Sequence, residues 1–276
     1  MSTAMEIALE RVYDWRFGTP LDLSELGLTE LPSIPDGVEE LNVSYNELQF
    51  LPNDLPDTIQ ELNVSHNWLT ELPDPLPGDL FFLIADHNRL THLPENMPNS
   101  IAVLNVGYNQ LTHLPDTLPE DLDALNLQFN QLTYLPDALP DGVTSIIMCG
   151  NPITLLPEQM PSELRELNIY KTNITTFPAA FPPPHMMQLT VDPSIGMLTP
   201  TLDSIHWLGR SFIPAINFTY EEIPLFVQTI NELAEIESRE RCINRCSHVW
   251  KELLEVSLHP DRVGTMLGEG VALGDM

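Results

Sequence analysis

A pattern of 21 residues is repeated six times between residues 41 and 166, and it limits the possible folds more than any other feature of the sequence. The first complete copy, residues 41–61, reads LNVSYNELQFLPNDLPDTIQE. The copies begin at Leu41, Leu62, Leu83, Leu104, Leu125 and Ile146. Repeats of this length are typical of solenoids, because one unit alone cannot bury its apolar side chains and must stack on its neighbours. Looser copies occupy residues 21–40 and 167–188, so we expect about eight turns of roughly 20–22 residues over 21–188.

Each copy predicts a short strand followed by a buried amide. Leu41 and Val43 are two residues apart, so their side chains point to the same side of a strand. An asparagine follows three residues later in every copy, at Asn46, Asn67, Asn88, Asn109, Asn130 and Asn151. An amide among leucines must be hydrogen-bonded, which predicts a ladder of asparagines bonding the backbone of the next turn. Leu26 and Thr172 hold this position in the flanking copies, so the ladder should stop at both ends.

Two prolines recur at fixed places near the end of each copy, each preceded by leucine or methionine, with Pro52 and Pro56 in the first copy and Pro157 and Pro161 in the last. Proline has no backbone N–H and prefers φ near −65°, which disfavours helix and suits extended polyproline-type chain. The sequence therefore predicts a parallel sheet on the concave side of the solenoid and a non-helical, polyproline-type convex side.

With its recurring asparagine and paired Leu-Pro, the segment 21–188 resembles the short LPX-type leucine-rich repeats of secreted bacterial effector proteins. The resemblance implies an α/β repeat solenoid, the leucine-rich-repeat horseshoe, whose concave β-sheet recognises proteins. It does not imply one particular activity, because the function of such folds depends on their variable surface.

The two ends of a solenoid expose core and need covering. Thr3 and Glu6 have the spacing of a helix capping box, and Met5, Leu9 and Val12 follow at near-helical spacing. These residues predict a helix over 4–15 within an N-terminal cap, residues 1–20.

Beyond residue 188 the repeat pattern is lost. Residues 189–218 have no ladder asparagine and no Leu-Pro pair, which predicts an irregular covering segment. A second capping box, Thr219 to Glu222, then predicts a C-terminal helical region over 219–276.

The composition excludes several classes of partner. The chain has 40 acidic and 11 basic residues and a net charge of −29, which disfavours nucleic acids and acidic membranes. Three cysteines fit a reducing compartment. Residues 1–20 lack the apolar core of a signal peptide, and no apolar run is long enough to span a membrane. We therefore expect a monomer without membrane insertion in the cytoplasm, either of its own cell or of a host cell.

Five aromatic side chains are the best candidates for a partner-binding surface. They immediately precede ladder asparagines: Tyr45, His66, His87, Tyr108 and Phe129. Neighbouring strands should place them side by side on the concave face, where they either pack on one another or bind a protein. The other candidate partner-binding residues are Trp68, Phe82, Asp86 and Gln128.

The sequence shows no convincing metal or catalytic motif. His66 and His87, like His92 and His113, are separated by one repeat, but no third ligand is evident. Cys242 and Cys246 have no matching second pair and fit a reduced, packed pair better. We predict no metal, no cofactor and no catalytic residue.

The C-terminal region lacks the motif of one effector subfamily and carries two weaker resemblances. Some effector relatives have a ubiquitin-ligase domain with a Cys-x-Asp nucleophile, but this chain has no such motif and residues 189–276 are too few for that domain. His259-Pro260-Asp261 resembles the J-domain tripeptide of co-chaperones, without room for the following helix. Residues 250–276 also resemble a tail on repeat proteins of large DNA viruses.

The sequence therefore predicts a non-enzymatic module that binds a protein on its concave face and acts as an effector in a host cell. The alternatives are a ligase relative or co-chaperone activity in residues 219–276, or a structural module that assembles with copies of itself.

Overall fold

A computed structural model describes residues 3–191, 216–219, 223–224 and 227–228. These residues form an N-terminal helix, α1 (Ala4–Asp14), and one sheet in which the strands follow their order in the sequence. The strands are β1 (Leu21–Asp22), β2 (Glu40–Asn42), β3 (Glu61–Asn63), β4 (Phe82–Ile84), β5 (Val103–Asn105), β6 (Ala124–Asn126), β7 (Ser145–Ile147), β8 (Glu166–Asn168), β9 (Gln188–Val191) and β10 (Ile216–Thr219).

Residues that pair between neighbouring strands are the equivalent residues of successive repeats. Strands β1 to β9 are parallel, and Leu41, Leu62 and Leu83 pair across β2, β3 and β4. Each 21-residue copy therefore makes one turn and returns to the same point in the next strand. This confirms the predicted parallel-strand solenoid of about eight turns.

The apolar repeat positions form one continuous core. In each three-residue strand the central side chain is buried and its neighbours are more exposed, as with Leu62 in β3 and Leu104 in β5. The buried cluster extends from Ala8 in α1 to Val227. Between the strands, residues 15–187 contain turns, bends and irregular chain but no helix. The absence of helix there agrees with the proline pattern. The polyproline conformation of these segments and the horseshoe curvature of the solenoid stay predictions.

Helix α1 begins with the predicted capping box. The Glu6 backbone N–H donates to Thr3 Oγ1 over 3.2 Å, and the Thr3 N–H donates to Glu6 Oε2 over 2.7 Å. The helix ends at Asp14, one residue before the predicted end. Its buried face differs from the predicted one: Leu9 is 51% exposed, whereas Ala8 is fully buried against the first turn of the solenoid.

The prediction that residues 189–218 are irregular is wrong at both ends of this segment. Residues 189–191 are buried and belong to β9, which pairs with β8, while Ile216–Thr219 form β10, antiparallel to β9. Residues 192–215 lie outside the described residues.

The C-terminal helical region is described only at its start. Residues 223–224 and 227–228 are helical, and Ile223 and Val227 join the core. Thr219, the predicted first residue of this region, belongs to β10 instead. In the described part of the chain, no helix has the length and apolar character needed to cross a bilayer.

Candidate functional site

The five candidate aromatics do not lie within the strands but in the turn that follows each strand. All five have φ between 51° and 54°, in the left-handed region. Glu25, Gly150 and Lys171 occupy the same position of other turns and also have positive φ. A left-handed backbone costs an L-residue about 1–2 kcal/mol. Its recurrence at every turn shows that the repeat imposes this conformation whatever side chain is present.

A ladder asparagine directly follows each of the five aromatic residues in the sequence. Asn109 Nδ2 donates to the carbonyl oxygens of Ala85 and Val106 over 3.0 and 3.1 Å, and its Oδ1 accepts from the Leu90 N–H over 2.9 Å. The other members of the ladder make equivalent bonds. Each amide thus reaches the preceding turn, not the following one, and all six are buried.

A second set of backbone bonds ties each turn to the next. The Tyr45 N–H donates to the Ser65 carbonyl over 3.0 Å, and the Phe129 N–H donates to the Cys149 carbonyl over 2.7 Å, with the same bond at the three positions between them. Each of these turns is therefore hydrogen-bonded to the turn before it and to the turn after it. These bonds hold the backbones of the five aromatic residues at a regular spacing.

The side chains of these residues form one continuous column of rings, which we call the aromatic stack: Tyr45, His66, His87, Tyr108 and Phe129. Successive ring centroids are 4.2, 4.1, 4.2 and 4.7 Å apart, and neighbouring planes are within 20° of parallel. The rings are also exposed, with Tyr45 at 55%, Tyr108 at 39% and Phe129 at 38%. Mutual packing therefore leaves a surface of ring edges open to solvent.

The stack ends on a glycine. A Cβ atom at Gly150 would lie 2.6 Å from Phe129 Cδ1, which is closer than two carbon atoms can approach without a shift. The ring of Phe129 thus lies over the bare backbone of Gly150, which has φ of 73°.

Gly150→Ala is expected to lower the free energy of unfolding by about 1–3 kcal/mol, through the left-handed backbone and displacement of the Phe129 ring. Urea unfolding measures the loss, and ring-proton shifts of Phe129 report the displacement. Gly78→Ala is the matched control, because a Cβ at Gly78 meets nothing within 4 Å. Equal stability of the two variants would contradict this prediction.

Asp86 lies beside the stack and is bonded on both carboxylate oxygens. Its Oδ2 is 2.7 Å from His87 Nδ1, and its Oδ1 accepts from Asn105 Nδ2 over 3.0 Å. The structure therefore brings Asp86 into direct contact with the stack.

The remaining candidates have other contacts. The Trp68 ring, 40% exposed, lies 5.3 Å from the Arg89 guanidinium carbon, a cation–π contact. Phe82 meets Phe81 edge-on at 4.8 Å. Gln128 Oε1 accepts from Cys149 Sγ over 3.7 Å.

Cys149 is buried, and this desolvation raises the pKa of its thiol despite the opposing effects of a backbone hydrogen bond and Lys171. The thiol is therefore protonated at neutral pH, which makes it a poor nucleophile.

Sequence reasoning missed a second recurring polar side chain, at the last residue of most strands. Asn42 Oδ1 accepts from the backbone N–H and the hydroxyl of Ser44, over 3.1 and 2.8 Å. Equivalent bonds to the backbone two residues on are made by Asp22, Asn63, Asn105, Asn126 and Asn168. These bonds turn the chain out of the strand just before the left-handed residue. The recurring Leu-Asn pair was the signal that would have found them.

Comparison with known proteins gives one family and several similar structures. The family model described as Leucine Rich Repeat matches residues 58–80. No curated protein matches the chain.

The leucine-rich effector YopM from Yersinia pestis is 31% identical over 68% of this chain, with a TM-score of 0.58, and the match spans 59% of the YopM chain. The leucine-rich-repeat domain of a Shigella effector is 33% identical over 62% of this chain and 78% of its own, with a TM-score of 0.55. A chain of the Toll–Spatzle complex of Drosophila is 25% identical over 69% of this chain and 29% of its own, with a TM-score of 0.55.

Proposed function

Because the chain belongs to the leucine-rich-repeat family, we propose that it is a non-enzymatic interaction module that binds a protein partner through the aromatic stack and the adjoining concave face of the sheet. In this proposal the repeats are of the LPX type and curve into a horseshoe. The protein acts as an effector in the cytosol of a host cell.

The observation that carries the proposal is the exposed aromatic stack. Aromatic side chains are enriched at the centres of protein interfaces, where they supply a large contact area. Here five rings form a continuous row in which at least Tyr45, Tyr108 and Phe129 keep more than a third of their surface exposed. A row of rings that is both ordered and accessible is suited to contact a protein surface.

The rigidity of the stack favours binding. Each ring belongs to a residue whose backbone is bonded to the next turn and whose neighbour in the chain is a buried ladder asparagine. Such a surface loses little conformational freedom when a partner binds, so more of the contact energy appears as affinity.

The charge of the chain indicates the kind of partner. With a net charge of −29, the module should attract basic proteins and associate faster with them at low ionic strength. We propose a partner with an apolar patch for the rings, surrounded by lysine and arginine.

The similar structures support this assignment by analogy. Two of them are described as bacterial effectors, and the third is a complex between Toll and Spatzle. The alternatives placed in residues 219–276 fall mostly on residues outside those that the structure describes, and they stay predictions.

The test removes three rings of the stack together, the two at its ends and Tyr108. We expect Tyr45→Ala/Tyr108→Ala/Phe129→Ala in the full chain to reduce the recovery of a partner from host lysate at least tenfold, since loss of each anchoring ring costs about 1–2 kcal/mol or more. Recovery is measured by affinity capture and quantitative mass spectrometry.

The matched control removes three other exposed apolar side chains, each four residues after a ladder asparagine. They are Phe50, Tyr134 and Leu155, which are 60%, 56% and 64% exposed. Phe50→Ala/Tyr134→Ala/Leu155→Ala should capture the partner as the unaltered protein does. The proposal is wrong if the stack variant, shown by circular dichroism to be folded, still captures the partner in full.

A further inference from the structure

Three potential metal ligands meet in the middle of the aromatic stack. One ligand atom each of His66, Asp86 and His87 lie within 4.8 Å of one another, and this is the one such trio in the part of the chain that the structure describes. Two of the three are separated by a full repeat and come together because their turns stack. The third is the chain neighbour of His87.

The carboxylate of Asp86 is the ligand that the sequence did not reveal. Its Oδ2 is already 2.7 Å from His87 Nδ1, and its Oδ1 is held by Asn105 Nδ2 at 3.0 Å. A hydrogen bond of this kind, from a side chain that does not itself contact the metal, orients a ligating carboxylate and typically raises metal affinity. Asn105 is therefore placed to fix Asp86 while one oxygen stays directed at the histidines.

Small side-chain rotations are enough to close the site. Ligand atoms bound to one tetrahedral Zn²⁺ at about 2.0–2.2 Å are roughly 3.3–3.6 Å apart. The longest spacing, up to 4.8 Å, must therefore shrink by roughly 1.2–1.5 Å, whereas the 2.7 Å between Asp86 Oδ2 and His87 Nδ1 must widen to the same range. The His87 side chain is 40% exposed, which leaves room on its solvent side for such a rotation. The two imidazoles, now stacked at 4.1 Å, must tilt out of parallel so that both direct a nitrogen at the same point.

The ligand set selects the class of ion. Two imidazoles with one carboxylate suit Zn²⁺ and its neighbours Cu²⁺ and Ni²⁺, whereas Ca²⁺ and Mg²⁺ prefer oxygen ligands alone. The net charge of −29 further favours a cation.

We propose that His66, Asp86 and His87 form a binding site for a divalent transition-metal ion, Zn²⁺, on the exposed aromatic stack. Each histidine supplies one nitrogen and Asp86 one carboxylate oxygen, and water completes the coordination. The proposal does not rest on partner binding, because the site is complete within this chain.

The experiment titrates the full chain with Zn²⁺ alone, by calorimetry and by competition with a chromophoric chelator. His66→Phe and His87→Phe remove the ligands but keep a ring in the stack, and Phe129 shows that phenylalanine accepts the same left-handed position. Asp86→Asn keeps an oxygen for Asn105 and removes the charge. We expect each of the three variants to weaken Zn²⁺ binding at one site by at least tenfold.

His92→Phe/His113→Phe is the matched control. These histidines have the same spacing of one repeat and are exposed, but their ring nitrogens contact Thr91 and Thr112. The control should bind Zn²⁺ as tightly as the unaltered chain. Substitution of Co²⁺ gives a second readout, since the visible absorption of Co²⁺ reports its ligands and should change in the three site variants alone.

Two results would overturn the proposal. One is failure of the unaltered chain to bind Zn²⁺. The other is equal affinity of the unaltered chain and the His66→Phe and His87→Phe variants, which would place the ion elsewhere. Neither result bears on the proposed partner binding, because no partner is present in the titration and both variants retain the column of rings.

Discussion

Asn109→Ala is expected to lower the free energy of unfolding by about 2–4 kcal/mol. The Leu90 N–H donates to Asn109 Oδ1 and is fully buried, so the substitution leaves this donor without a partner. An unpaired buried N–H costs about 1–3 kcal/mol, and the lost amide bonds add to that. The carbonyls of Ala85 and Val106 are affected less, because each also accepts from the amide of its own turn or the following one, Asn88 or Asn130.

Urea unfolding followed by circular dichroism measures this loss. Asn53→Ala is the matched control: the side chain of Asn53 is exposed, and its removal should change stability by less than about 0.5 kcal/mol. If Asn109→Ala is as stable as Asn53→Ala, the ladder contributes nothing to the fold.

Leu104→Ala is the second substitution with a large expected effect, a loss of about 2–5 kcal/mol. Leu104 is fully buried at the centre of β5, with Leu83 and Leu125 paired on either side. Deleting its side chain removes apolar contacts and leaves a cavity between two neighbouring turns, which the hydrogen-bonded strands prevent from collapsing.

The matched control for Leu104 is Leu155→Ala, which deletes the same atoms from a side chain that is 64% exposed. Its effect should stay below about 0.5 kcal/mol. Thermal and urea unfolding of the two variants measure these losses. If Leu104→Ala lost as little stability as Leu155→Ala, the result would contradict the continuous core.

The features set by repetition could be predicted from the sequence. The spacing of Leu41 and Leu62 gives the strand register directly, because a regular solenoid returns to the same point once per repeat. The burial of Asn46 and its equivalents followed from a polar side chain at a leucine-rich position that must be bonded. The capping box of Thr3 and Glu6 followed from local spacing alone.

The left-handed turns that carry the aromatic stack could not be predicted. Local preference disfavours a left-handed tyrosine or phenylalanine, so nothing in the sequence indicated positive φ at Tyr45 and Phe129. Their conformation is imposed by hydrogen bonds to the neighbouring turns, which no single repeat contains. The contact of Asp86 with His87 depends on the same turn geometry, which is why the third metal ligand was not evident.

Strand β10 runs against the direction of the nine strands before it. An open β9 edge would present to solvent the parallel partner that the first strand of another molecule needs, and copies joined in this way would grow into a filament without limit. Strand β10 occupies that edge and runs antiparallel to β9, so among the described residues β9 has no free edge left for a parallel strand of another copy.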